Sequence, residues 1–312
     1  MNIDIELQKD GLKVTALLVF FSLLYLLMPF FSLFIYIIWP IPIVYLIMKY
    51  DIKEAFIVIV IAALLNTLIL SITINTTLGV FMGMYSIVGF GLIGFFLGSG
   101  LKEGFAPLKT LIITIVAVFI SNLLVFIIQS SFPGLGIQQL LQEFTNIVDQ
   151  SQLPSEFSLL MEQYINIISI LYPALILITS IIQGSLTYYA TFWYLKRKGI
   201  YAQAYKPVKN WAFPRWGLSI AILLTMLSRM VWKYGGTTTG AQEIYNIISL
   251  NLLVILSFLL FLQGFAVAIY YLSRIKSKIL YIVFIFIVLI FYYVIALIGL
   301  IDLWFNLRRD QG

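Results

Sequence analysis

Asn66, Asn122 and Gln183 each stand deep inside an apolar run, and Gln129, Asn251 and Gln263 do the same elsewhere in the chain. A neutral amide donates and accepts hydrogen bonds without carrying charge, so such groups can hold a ligand or a neighbouring helix but cannot relay protons. Facing lipid they would be left unsatisfied, so they must turn toward the interior of a helix bundle. The chain has neither histidine nor cysteine, which removes imidazole bases, thiolate nucleophiles and Cys/His metal sites together. No acidic residue falls at mid-span, which argues against proton or cation coupling. The expected site is therefore neutral. Its candidate ligand-binding residues are Trp39, Asn66, Asn122 and Gln183, with no catalytic residue, metal or cofactor.

A second constellation is charged. Arg229 lies about 21 Å along a helix from Arg215, close enough to an interface to snorkel. Asp302 can pair with Arg229 or Arg308, and a lock on the last span is favoured over a ligand contact. The run GFGLIG, residues 89–94, matches a dinucleotide fingerprint. It lacks the strand–turn–helix unit that would bring a pyrophosphate to it. No H-E-x-x-H or G-x-S-x-G pattern occurs, and the expectation is a protein that is not an enzyme.

The elements that carry these residues are set by composition. The 312 residues are 62% hydrophobic and 10% charged, whereas soluble domains are about 25% charged. The chain is read as all-α, a polytopic membrane protein. Charge-free runs give nine segments: roughly 14–30, 31–48, 54–73, 77–98, 108–130, 163–195, 215–233, 246–273 and 279–305. The net charge of +6 resides in short loops, which fits positive-inside topology and not nucleic-acid binding. With the N-terminus cytoplasmic, only Arg229, Lys233, Arg308 and Arg309 lie on the far side. An eight-span arrangement would bring Arg308 and Arg309 inside as well.

Two features interrupt the spans. Pro40 and Pro42 in WPIP remove backbone donors and push Trp39 and Ile41 out of helical geometry, breaking the helix there. Gly79/Gly83 and Gly94/Gly98 form small-xxx-small spacings suited to close helix packing. Outside the spans, GIQQLLQEFTNIVDQ (136–150) alternates polar and apolar residues in helical rhythm. It lies in the 131–162 connection, which carries Glu143, Asp149, Glu156 and Glu162 and no basic residue. Its expected role is a cap over an outward cavity.

The tail GLIDLWFNLRR (299–309), YPALILITSIIQG (172–184) leading into YLKRKGI (194–200), FPRW (213–216) and the early WPIP together resemble the YybS-like family of uncharacterised bacterial membrane proteins. That family is distantly similar to the substrate-binding S components of energy-coupling-factor vitamin transporters, small bundles that hold a ligand near the outer face. The resemblance implies an S-component-like bundle over 1–195, a basic cytoplasmic loop at 196–214 and added transmembrane helices over 215–312. It departs in KVTALLVFF (13–21), where the Ala-x-x-x-Ala face used for docking an energising ATPase is not evident. The family's association with a membrane-bound cyclic-dinucleotide phosphodiesterase implies a protein partner.

Two functions follow. In the first, the protein sits in the bilayer of the cell membrane and binds or transports a small molecule through a cavity capped by 131–162. In the second, it is a membrane scaffold or regulatory partner of another membrane protein. The first requires a polar-lined pocket opening outward, the second a filled core.

Overall fold

A computed structural model describes residues 2–132, 155–234, 239–275 and 278–308. Segment 133–154, which holds most of the expected cap, lies outside the described residues. The helices are α1 (Asn2–Leu27), α2 (Ser32–Ile38), α3 (Ile41–Lys49), α4 (Ile52–Thr73), α5 (Thr76–Tyr85), α6 (Leu92–Lys102), α7 (Pro107–Ser131), α8 (Ser155–Arg197), α9 (Arg215–Tyr234), α10 (Thr239–Leu272), α11 (Lys278–Ile290) and α12 (Tyr292–Phe305). No strand occurs among the described residues. Among the described residues, seven stretches are long and apolar enough to cross a membrane: Ile5–Leu27, Ser32–Lys49, Ile52–Thr73, Thr76–Lys102, Pro107–Ser131, Gln163–Arg197 and Gln242–Leu272. Large apolar side chains point outward along them, Leu33 being 74% and Ile72 83% exposed. Lipid tolerates such a surface and water does not.

The chain divides into two compact units, Met1–Gln163 with Thr179–Tyr205 and Tyr164–Ile178 with Lys206–Gly312. In the first, helix ends follow local chemistry. Asp51 Oδ1 accepts from the Ile52 amide at 2.7 Å and Asn75 Oδ1 from the Leu78 amide at 2.7 Å, capping α4 and α5. Gly104 at φ 69° and Gly199 at φ 73° follow α6 and α8 in the left-handed conformation that favours glycine. A π-helical turn, Ser86–Gly91, joins α5 to α6. Trp39, Phe90, Leu18, Ile43, Leu46 and Ile47 are fully buried in the core.

The glycines set how closely these helices approach. A Cβ on Gly94 would fall 2.8 Å from Ile43 Cβ, and one on Gly98 2.6 Å from Ile47 Cδ1, so α6 receives α3 as two branched knobs in two notches. A Cβ on Gly79 would lie 2.6 Å from the Thr67 carbonyl oxygen, and Gly83 faces the Thr67 hydroxyl, placing α5 against α4. Between α2 and α3 the hydrogen-bond ladder breaks at the prolines, but the dihedrals differ from those the sequence predicts. Trp39 (φ −56°, ψ −39°) and Pro40 (φ −69°, ψ −21°) both stay right-handed helical, and Ile41 opens α3. Proline disfavours this geometry in its predecessor without forbidding it, and the fully buried Trp39 indole holds it in place.

In the second unit, α10 and α12 run parallel. Ser257 meets Tyr292 at 3.1 Å, Gln263 meets Asp302 at 2.6 Å, and the Tyr271 hydroxyl meets the Leu307 carbonyl at 2.6 Å, so contacts rise together along both helices. Between them α11 must return in the opposite sense, and Phe284 accordingly lies 5.7 Å from Phe265. Helices of 13 and 14 residues reach only about 20 Å, short of a hydrocarbon core of about 30 Å. The single span expected over 279–305 is thus two short helices that turn back on each other at Phe291. The turn brings the end of α12 back to the level of Tyr271.

Candidate functional site

Three tyrosines from three helices converge in the first unit. Tyr25 of α1 and Tyr36 of α2 bring their hydroxyls to 3.2 Å. Tyr85 of α5 donates to Tyr25 at 3.4 Å and touches the Tyr36 hydroxyl. The Tyr25 and Tyr85 rings stack at 5.6 Å while Tyr36 meets both edge-on. Phe90 fits against all three, and Phe81 and Phe132 extend the aromatic wall. A tyrosine hydroxyl this deep needs a polar partner, and here each finds it in another tyrosine.

Asn66 belongs to the adjoining layer, because its partners Ser22 and Ser86 lie one turn before Tyr25 and directly after Tyr85. Its Nδ2 donates to Ser22 Oγ at 2.8 Å and Ser86 Oγ at 2.9 Å. Its Oδ1 is buried with no hydrogen-bond partner among the described residues. An acceptor left so costs about 1–3 kcal/mol, which marks a place where a donor is missing. The π turn beside it is stabilised by Ser121, whose hydroxyl lies 2.7 and 2.8 Å from the Val88 and Gly89 carbonyls. Such turns recur at functional sites.

The remaining predicted residues join helix to helix. Trp39 donates its indole N–H to the Leu18 carbonyl at 3.1 Å and stacks on Phe90 at 4.6 Å. Gln183 of α8 donates to the Tyr36 carbonyl at 3.5 Å. That carbonyl would serve the amide of residue 40 in an unbroken helix, so Gln183 and Pro40 form one feature. Asn122 donates to Ser180 Oγ at 3.1 Å, tying α7 to α8. Trp39, Asn66 and Gln183 therefore gather around the tyrosines, whereas Asn122 bonds elsewhere. The tyrosines themselves escape sequence reasoning. Their signal would have been hydroxyls inside apolar runs.

In the second unit, Asn251 replaces a backbone bond. It accepts from the Ala174 amide at 2.9 Å and donates to the Ile170 carbonyl at 2.8 Å, bridging the ladder of α8 across Pro173. Asp302 pairs with Arg308 at 2.8 Å, both nearly inaccessible at 3% and 5% exposure. Gln263 donates to the same carboxylate oxygen at 2.6 Å and the Leu307 amide to the other at 2.8 Å. Arg308 also donates to the Trp211 and Lys209 carbonyls at 2.7 and 3.2 Å, and the Phe213 amide to Gln263 Oε1 at 3.0 Å. Every strong group here has a protein partner, which makes this a clamp on the 206–214 segment. Arg229 stands half-buried on α9.

Charges otherwise collect at one end of the first unit. Lys49 bridges Glu6 at 2.8 Å and Asp10 at 2.7 Å, tying α3 to α1, and Lys102 meets Asp51 at 3.1 Å. The Ile52 amide and the Lys102 ammonium hold the Asp51 carboxyl below its ordinary range. Among the described residues no group of three metal-ligating side chains forms.

Long lipid-facing helices around amide, hydroxyl and aromatic contacts define an all-α polytopic membrane protein. The chain belongs to the family of predicted membrane proteins DUF2232, whose model matches residues 16–303. It is 24% identical over 261 residues to the uncharacterised protein YybS of Bacillus subtilis (strain 168), covering 74% of this chain and 82% of that one. No solved structure matches it.

Proposed function

We propose that this protein is a non-enzymatic receptor for a small molecule, held in the first unit by Tyr25, Tyr36, Tyr85 and Asn66. The observation that carries this reading is the Asn66 Oδ1 acceptor, buried and unpartnered among the described residues, in the layer adjoining three tyrosine hydroxyls that bond to one another. A neutral ligand with a donor for Asn66 and a flat apolar body for the rings would suit this place. The cluster lies at the opposite end of α1 from Asp10, about 22 Å along the helix. With the basic end cytoplasmic, it faces outward. Phe132, where the 131–162 connection begins, packs on Phe81 at 5.8 Å, which supports that connection as the cap. Transport would be a further step beyond binding.

A specific observation favours the second reading, a scaffold or regulatory partner of a membrane protein such as a cyclic-dinucleotide phosphodiesterase. Trp39, Asn122 and Gln183 all bond to neighbouring helices. Native mass spectrometry of protein purified from its own membranes separates the two. A co-purifying small molecule, lost in Tyr85→Phe and Asn66→Ala and after deletion of 136–150, supports the receptor. A co-purifying protein with no small molecule sinks it.

A further inference from the structure

An apolar groove of roughly 400 Å³ opens on the outside of the first unit, lined by Leu17 and Phe21 of α1, Ile38 and Pro42 at the proline break, and Trp193 and Tyr194 of α8. Its size falls at the small end of ligand pockets. Three cations stand one turn beyond its lining residues on the same helix faces: Lys13 before Leu17, Arg197 after Trp193 and Lys198 after Tyr194, each at i,i+4. The Arg197 guanidinium lies 3.7 Å from the Trp193 ring centre and Lys198 Nζ 5.6 Å from that of Tyr194, so both charges are held at the end of the groove. Arg197 and Lys198 form no salt bridge among the described residues. Lys13 shares Asp10 with Lys49, at 3.8 Å against 2.7 Å.

We infer that this groove is a binding site for an anionic phospholipid, one acyl chain lying between α1, α3 and α8 and the phosphate meeting Arg197 and Lys198. The wall is almost wholly apolar, which suits a hydrocarbon chain. The charge at one end alone suits a lipid whose single anionic group sits at the interface. A zwitterionic lipid would fill the same groove but gain little from the two cations. The site is separate from the tyrosine cluster and does not depend on the receptor reading.

The test is competition in vesicles of phosphatidylglycerol and phosphatidylcholine with identical acyl chains, followed by detergent extraction and native mass spectrometry of the full chain. The wild type should retain phosphatidylglycerol preferentially. R197Q/K198Q should lower that preference by roughly 10- to 30-fold, since each interfacial cation contributes about a fivefold attraction. K53Q/K109Q, which removes the same charge elsewhere, should leave it within about twofold of wild type. No preference in the wild type, or equal losses in the two double variants, overturns the inference.

Discussion

Arg308 Nη2 lies 2.8 Å from Asp302 Oδ2 in a setting where both side chains are almost wholly buried. Removing one partner leaves an uncompensated charge, a loss of about 3–5 kcal/mol. Asp302→Asn and Arg308→Gln should each lower the thermal unfolding temperature in detergent substantially. The double variant should lose clearly less than their sum, because neither charge is then stranded. Additive losses would show that the two side chains act independently.

Gly264 and Gly299 bring the backbones of α10 and α12 together, a Cβ on Gly264 falling 2.8 Å from the Gly299 amide nitrogen. Gly264→Ala or Gly299→Ala must push the helices apart and should cost about 1–3 kcal/mol. Gly11→Ala meets only Val58 at 3.5 Å, an ordinary contact, and should be neutral or slightly stabilising. Unfolding temperatures of the three variants check the contrast.

Because α12 turns back along α11 and Arg308 bonds to the Lys209 and Trp211 carbonyls, the C-terminus is expected on the same membrane face as the 206–214 segment. The chain has no cysteine, so a single Lys206→Cys can be labelled cleanly. That cysteine and a reporter fused after Gly312 should report one side. Opposite sides would restore a full span at 279–305.

Pro40 cannot donate to the Tyr36 carbonyl, and Gln183 reaches it at 3.5 Å. Gln183→Leu should therefore cost about 1 kcal/mol in the wild type. In a Pro40→Ala background, where a backbone amide is restored, the same change should cost less. A double-mutant cycle on unfolding temperature gives the coupling, and a value of zero would separate the two residues.

The span count shows where sequence reasoning reached and where it stopped. Runs such as Pro107–Ser131 and Ile52–Thr73 are legible because every turn of a membrane helix must be apolar, whichever way it faces. The stretch 279–305 is equally apolar, so hydropathy reads one span. Only the parallel contacts of Ser257 with Tyr292 and Gln263 with Asp302 reveal two half-length helices.

The buried amides divide in the same way. Chain chemistry alone dictates that Asn66, Asn122, Gln183, Asn251 and Gln263 turn inward, since lipid offers them no hydrogen bonds. Which group each one meets depends on helices brought together from distant parts of the chain. That Gln183 serves a carbonyl opened by Pro40, that Asn251 spans the ladder at Pro173, and that Asn66 keeps a bare acceptor beside three tyrosines are decided by tertiary packing. Hydropathy is a property of single residues and survives without the fold. Hydrogen-bond partnership belongs to pairs, and a pair separated by 147 positions, as Gln183 and Tyr36 are, exists only once the bundle has closed.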